Sequence, residues 1–249
     1  MARPADCSDA EWQARQELAA CYRIFHLWGW TEQIYNHISL RVPGPERHFL
    51  INRFGLHYSE ICASNLLKVD LSGRVLGEGG GQVNAAGFHP HATLHGNIDH
   101  CHCVMHTHTT AGMAVASSAT GLLITNFYAA QLGGRVAYHD FEGITVHADE
   151  GARMLQSIGD KPAVILRNHG LLAWGPCLLG TFYTLWLMQR SCEIQLAGAA
   201  LGPAIEVPRD IQLKCQADAA RVNTDPDFGR ENFDALVRQI DRGDRSWRD

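Results

Sequence analysis

Two apolar runs of strand length, residues 163–167 and 171–174, are parted only by Asn168-His169-Gly170. So short a polar break between apolar strands has to be a sharp turn, and a ring at the tip of that turn, that of His169, projects beyond the sheet. Other segments fill in the fold around it. Ile38, Leu40 and Val42 alternate with His37, Ser39 and Arg41, so residues 37–42 read as a strand. Residues 48–51, 102–107 and 135–139 read likewise, and 66–70 with 74–76 suggest a hairpin about Leu71-Ser72-Gly73. Ser8 and Glu11 fit a capping box ahead of Leu18, Tyr22 and Phe25 at helical spacing, which predicts a helix over 8–28 closed by Gly29. Pro90 suits the first turn of a helix running to about Gly96, and further helices are expected over 109–118, 149–158 and 178–199. The simplest account is one α/β domain, 1–205, followed by a tail, 206–249, in which eighteen of forty-four residues are charged. That tail is expected to be helical and surface-lying, or partly disordered.

Composition removes several classes of function. With 46% hydrophobic and 19% charged residues, 249 residues can bury a sizeable core. A net charge of −5 and a pI near 6.3 leave no basic footprint for nucleic acid. No apolar run reaches the roughly 18 residues of a membrane span, and residues 1–12 lack the apolar stretch of a secretory signal. The eight cysteines are irregularly spaced, unlike a secreted disulfide scaffold, and read as mostly reduced thiols in a cytoplasmic, enzyme-sized domain. Gly77–Gly81 lacks both the GxGxxG order and a Gly-Lys-Ser/Thr, so it reads as a surface loop and not a phosphate cradle.

Histidine is the unusual residue. Seven of the fourteen fall at 89, 91, 95, 100, 102, 106 and 108. In His106-Thr107-His108, at the end of an expected strand, the period of two points both imidazoles to one face, close enough to share a cation. His169 in its turn is the best third ligand. Three neutral imidazoles suit zinc, iron, manganese or cobalt and leave coordination positions open for water or substrate. His100, Cys101, His102 and Cys103 alternate between faces and cannot close on one ion without distortion.

Four segments resemble the class II aldolase/adducin family: Tyr35-Asn36-His37-Ile38-Ser39-Leu40-Arg41, Asn52-Arg53-Phe54-Gly55, Cys103-Val104-Met105-His106-Thr107-His108-Thr109-Thr110 and Arg167-Asn168-His169-Gly170-Leu171. The resemblance runs in order from about Ala10 to Gly198. It implies a three-layer α/β/α sandwich around a central, mostly antiparallel sheet, and a homotetramer with active sites often between subunits. It also implies one divalent metal per subunit on His106, His108 and His169, the three residues that spacing selects.

The departures from that family carry as much information. Its sugar-phosphate aldolases have a Ser-Ser-Glu segment whose glutamate is ligand and proton shuttle, and whose serines help hold phosphate; here the aligned residues are Ala85-Ala86-Gly87. A second phosphate-holding turn, usually Thr-Gly, reads Phe54-Gly55. A phosphate here loses most of its donors, so a phosphorylated sugar is rejected as the leading substrate. His91, and less so its neighbours His89 and His95, is the candidate to replace the glutamate as acid/base, with Tyr128 a second candidate. Asn36, His37, Arg53 and Gly55 are the candidate substrate-binding residues; Arg53 and Arg41 each suit a carboxylate or an intersubunit ion pair. Phe182, Tyr183 and Trp186 read as core or subunit contact.

The chemistry expected is that of a metal-dependent carbon–carbon lyase, aldolase or decarboxylase in type, acting on a small unphosphorylated carboxylate-bearing carbonyl or hydroxy compound. Two rivals are a non-haem Fe(II) oxygenase and a non-catalytic adducin-like binding module.

Overall fold

The computed structural model describes residues 3–77, 80–144, 149–222 and 227–249; Glu78 and Gly79 of the glycine-rich stretch lie outside them. In chain order the elements are α1 (Asp9–Trp28), β1 (His37–Arg41), β2 (Phe49–Ile51), β3 (Leu67–Val69), β4 (Val75–Leu76), α2 (Ala85–Asn97), β5 (Cys103–Thr107), α3 (Thr110–Ala116), α4 (Phe127–Leu132), β6 (Val136–His139), α5 (Glu150–Ile158), β7 (Ala163–Leu166), β8 (Gly170–Gly175), α6 (Leu178–Gly198), α7 (Arg209–Val222) and α8 (Arg230–Gly243). The strands form one sheet in the order β4-β3-β2-β1-β5-β8-β7-β6. Every pairing is antiparallel except β6 with β7. This is the mostly antiparallel α/β sandwich that the resemblance implies.

Alternation along the strands divides the interior in two. Ile38, Leu40, Cys103, Met105, Ile165, Leu171 and Ala173 enter one large core with α1, α3 and α6. Their neighbours Val104, Val164, Leu166, Leu172 and Trp174 enter a smaller core with Leu94 of α2 and Met154 and Ile158 of α5. Farther along the sheet, Phe49, Ile51, Leu67 and Val69 pack on Phe88 of α2. Within 206–249, α7 and α8 are helices, and in α8 Phe233 and Ile240 enter the large core, followed by Trp247. Arg230 pairs with Glu17 at 3.2 Å and Asp244 with Arg23 at 2.8 Å, tying this end to α1. Among the described residues no helix is long and apolar enough to cross a membrane.

Two local expectations need correction. Ser8 does cap α1, its Oγ accepting from Glu11 N at 3.1 Å. The reciprocal half of the capping box is missing, because two cations claim the buried Glu11 carboxylate: Arg15 Nε at 2.9 Å and Lys68 Nζ at 2.8 Å. Pro90 does not open α2 but sits inside it. The helix starts five residues earlier at Ala85, where Asn84 Oδ1 accepts from Ala86 N at 3.3 Å; a side-chain cap outweighs the preference of proline for the first turn.

Candidate metal centre and active site

The turn between β7 and β8 is built from residues that few others could replace. Asn168 takes a left-handed backbone, φ 55°, which asparagine tolerates better than most. Gly170 lies so close to β5 that a Cβ on it would stand 2.4 Å from the Thr107 carbonyl oxygen. Between them His169 leaves the sheet end and reaches the end of β5. Its ring stacks on His108 at 5.0 Å between centroids and meets His106 edge-on at 4.8 Å.

His106 is oriented by the sheet itself. Its Nδ1 donates to the Leu171 carbonyl of β8 at 2.8 Å, which leaves Nε2 as the lone-pair nitrogen. That Nε2 lies 2.8 Å from His108 Nε2; two imidazole nitrogens so close require a shared proton or metal ion between them. His108 is placed by Asn36, whose Oδ1 accepts from the His108 backbone N–H at 2.9 Å while its Nδ2 donates to the Trp30 carbonyl at 2.9 Å. One ligand atom from each of the three histidines lies within 4.8 Å of the others. Burial, reinforced by the neighbouring rings, holds His106 well below the usual imidazole range and His108 down to about 4; burial also lowers His169. All three are therefore neutral at pH 7, the form that binds a metal. An all-nitrogen donor set of this kind fits a divalent transition metal.

The triad opens into a cavity of about 360 Å³ lined also by Tyr35, His37, Asn84, Gly87, Met113, Phe141, Ile144 and Asn168. Among the described residues no lysine or arginine lines it. His37 is the register partner of His106 across β1 and β5, and so shares its face. Gly87 admits the His37 ring: a Cβ at 87 would lie 2.1 Å from His37 Nε2.

The remaining expected residues stand elsewhere. His91 is buried and absent from the lining; its Nδ1 contacts Ser39 Oγ at 2.5 Å, and Ser39 Oγ contacts His95 Nε2 at 2.8 Å. Because the Cys101 carbonyl can only accept, it receives the His95 Nδ1 proton at 3.1 Å. Ser39 then donates to His95 and accepts from His91, and the His91 Nε2 lone pair is left buried without a partner. Tyr128 packs edge-on against Trp186 at 5.0 Å, away from this cavity. Arg53 runs along Gly81, whose Cβ would meet its Nε at 3.0 Å, and Gly55 forms an open turn; neither lines the cavity. Arg41 bonds the carbonyls of His95, Ile98 and Asp99 at the end of α2. The buried thiols of Cys101 and Cys103 are raised by burial, Cys101 to about 12, and among the described residues join no metal-holding group.

Sequence reasoning gave no site role to Tyr35, Asn84, Met113, Phe141, Ile144 or Asn168, all of which line the cavity. Asn168 carried a signal, since asparagine before His-Gly suits a left-handed turn; the others come to the cavity only through tertiary packing.

Helices on both faces of a mostly antiparallel sheet, with three imidazoles converging at its end beside an open cavity, define an α/β protein with a candidate metal centre. Residues 16–196 match the Class II Aldolase and Adducin N-terminal domain, and the chain belongs to that family. A crystallised aldolase II superfamily protein from Pseudomonas syringae superposes with a TM-score of 0.93 at 39% identity, covering 98% of each chain. A Caulobacter vibrioides protein named, by inference only, as a class 2 aldolase is 42% identical over 78% of this chain and 76% of its own. Rat alpha-adducin is 39% identical over 91% of this chain, but the match spans only 33% of that longer protein.

Proposed function

We propose that this chain is a divalent-metal-dependent carbon–carbon lyase acting on a small, unphosphorylated, carboxylate-bearing carbonyl or hydroxy compound. The observation that carries this reading is the triad: three neutral imidazoles, one locked in tautomer by Leu171, facing an open cavity. His106, His108 and His169 would hold the metal, which when bound supplies a Lewis acid for the oxygen that gains charge as an adjacent carbon–carbon bond breaks. With no lysine or arginine among the described lining residues, a phosphate dianion finds no counter-charge there besides the metal, whereas an α-oxo or α-hydroxy carboxylate needs only to chelate. Met113, Phe141 and Ile144 add apolar surface to the lining, against which the carbon skeleton of a substrate can rest. His91 and Tyr128 remain acid/base candidates of this reading, His91 through its unpartnered Nε2. A homotetramer with sites between subunits is part of the same proposal; Tyr128, distant from the cavity of its own chain, would act only in such an assembly.

Metal analysis of the purified protein, followed by assays for release of pyruvate or CO₂ from small hydroxy and oxo acids, tests this reading. Zinc or manganese with such release supports it. Iron with substrate-triggered oxygen uptake would replace it with the oxygenase reading. The likeness to alpha-adducin and the missing carboxylate favour a second reading, a binding module without catalysis; protein that retains no metal would leave that one standing.

A further inference from the structure

His37 and Gly87 are far apart in sequence yet cannot be varied independently. The imidazole Nε2 occupies the space where any side chain at 87 would begin, 2.1 Å from its Cβ position. The ring is buried, and strand register sets it beside His106 on the cavity face. Asn84 approaches Nε2 with its amide nitrogen at 3.4 Å, a long contact, while Asn84 Oδ1 is engaged by the Ala86 backbone N–H. With a donor as its neighbour, Nε2 carries a lone pair, which that 3.4 Å contact satisfies only weakly. A hydroxyl group on a ligand in the cavity that His37 lines would complete it.

We propose that His37, admitted by Gly87, is a specificity-determining residue that accepts a hydrogen bond from a substrate hydroxyl next to the metal-chelating oxygens. Resting on the lyase reading above, this narrows its substrate class to hydroxylated acids: a carboxylate and an α-oxygen to chelate, and a further hydroxyl beyond them to reach His37. A site that offers an acceptor discriminates strongly against an analogue lacking the donor, because the buried acceptor is then left unpaired.

Glycerate and lactate differ by one such hydroxyl and serve as probes. Calorimetric titration of the metal-loaded protein should show glycerate binding about tenfold or more tightly than lactate. His37→Leu should remove that preference while lactate affinity and metal content change little, and His37→Gln, which restores an acceptor near the Nε2 position, should recover part of it. A companion cycle reads the steric half: Gly87→Ala should lower the melting temperature in the presence of His37 and have little effect in a His37→Ala background. Equal affinity for the two acids in the wild type, a preference that survives His37→Leu, or a Gly87→Ala effect independent of residue 37 would each overturn the proposal. Binding of neither acid by protein carrying a full equivalent of metal would overturn it too, yet leave the metal centre in place. A wild-type chain without metal affinity would instead remove the lyase reading beneath it.

Discussion

The two faces of the central strands were made by the same backbone and put to opposite uses. On the face covered by α1 and α6, Ile38, Leu40, Met105 and Leu171 interlock with Leu18, Phe25, Leu185 and Met188, all buried. On the other, the neighbouring positions hold His37, Ser39 and His106, and the covering helix α2 answers with His91 and His95. One face is shape-matched hydrocarbon; the other sets, beside the smaller apolar core of Val104 and Leu172, a chain of hydrogen bonds through His95, Ser39 and His91, and a separate open cavity at His37 and His106. A side chain on the first should therefore be worth stability, and one on the second should be worth metal or ligand affinity first.

The sharpest way to break this contrast is His108→Ala. Removing a direct ligand should lower metal affinity by more than the roughly 10–100-fold typical of losing a supporting contact, with far-ultraviolet circular dichroism unchanged. Full metal occupancy in that variant would show that the triad is not the centre. Next in size, Phe25→Ala on the apolar face should cost about 3–5 kcal/mol in urea unfolding while metal stoichiometry stays at one. A Phe25 variant that lost its metal in step with its stability would erase the distinction between faces.

Ser39→Ala leaves the facing nitrogens of His91 and His95 without their shared hydroxyl, and should cost about 1–3 kcal/mol. If it costs nothing, the hydrogen-bonded chain contributes no order to this face. Ring by ring, the most gradual effect is with pH. Burial lowers His37 and His108 to about 4 and His95 to about 3, against 6.5 when unburied. Below pH 6.5 the unfolded chain therefore takes up protons that the folded chain refuses. Stability of the metal-free protein should fall by up to about 1.4 kcal/mol per pH unit for each such ring, and the decline should level off near pH 4 to 3 as the folded rings also protonate. Unfolding curves between pH 7 and 4 measure this. Phe25→Ala should shift the whole profile without changing its slope, since no titrating group is touched.

Much of the architecture was legible because strands announce themselves by alternation: residues 37–42 were divided between faces as the structure divides them. The convergence of His106, His108 and His169 was legible for a related reason, since period two and a sharp turn are local geometry. The six-residue α4 went unseen although Asn126 caps it, accepting from the N–H groups of Tyr128 and Ala129 at 3.0 Å; a helix so short is too brief for periodicity to register. The interlocking of His37 with Gly87 was invisible, because nothing in either neighbourhood states that the two residues meet. Arg53 shows the converse: a guanidinium in a family motif attracts a ligand-binding role, but the loop geometry lays it along Gly81.

The Leu171 carbonyl that holds His106 also belongs to β8, the strand paired with β5 at the middle of the sheet. Any ion seated on the triad would thus tie the end of β5 to the turn that opens β8, making occupancy and mechanical cohesion of the sheet centre the same property. Stripping the ion with a chelator should quicken amide deuterium uptake in β5 and β8 while β3 and β4 keep their original rates.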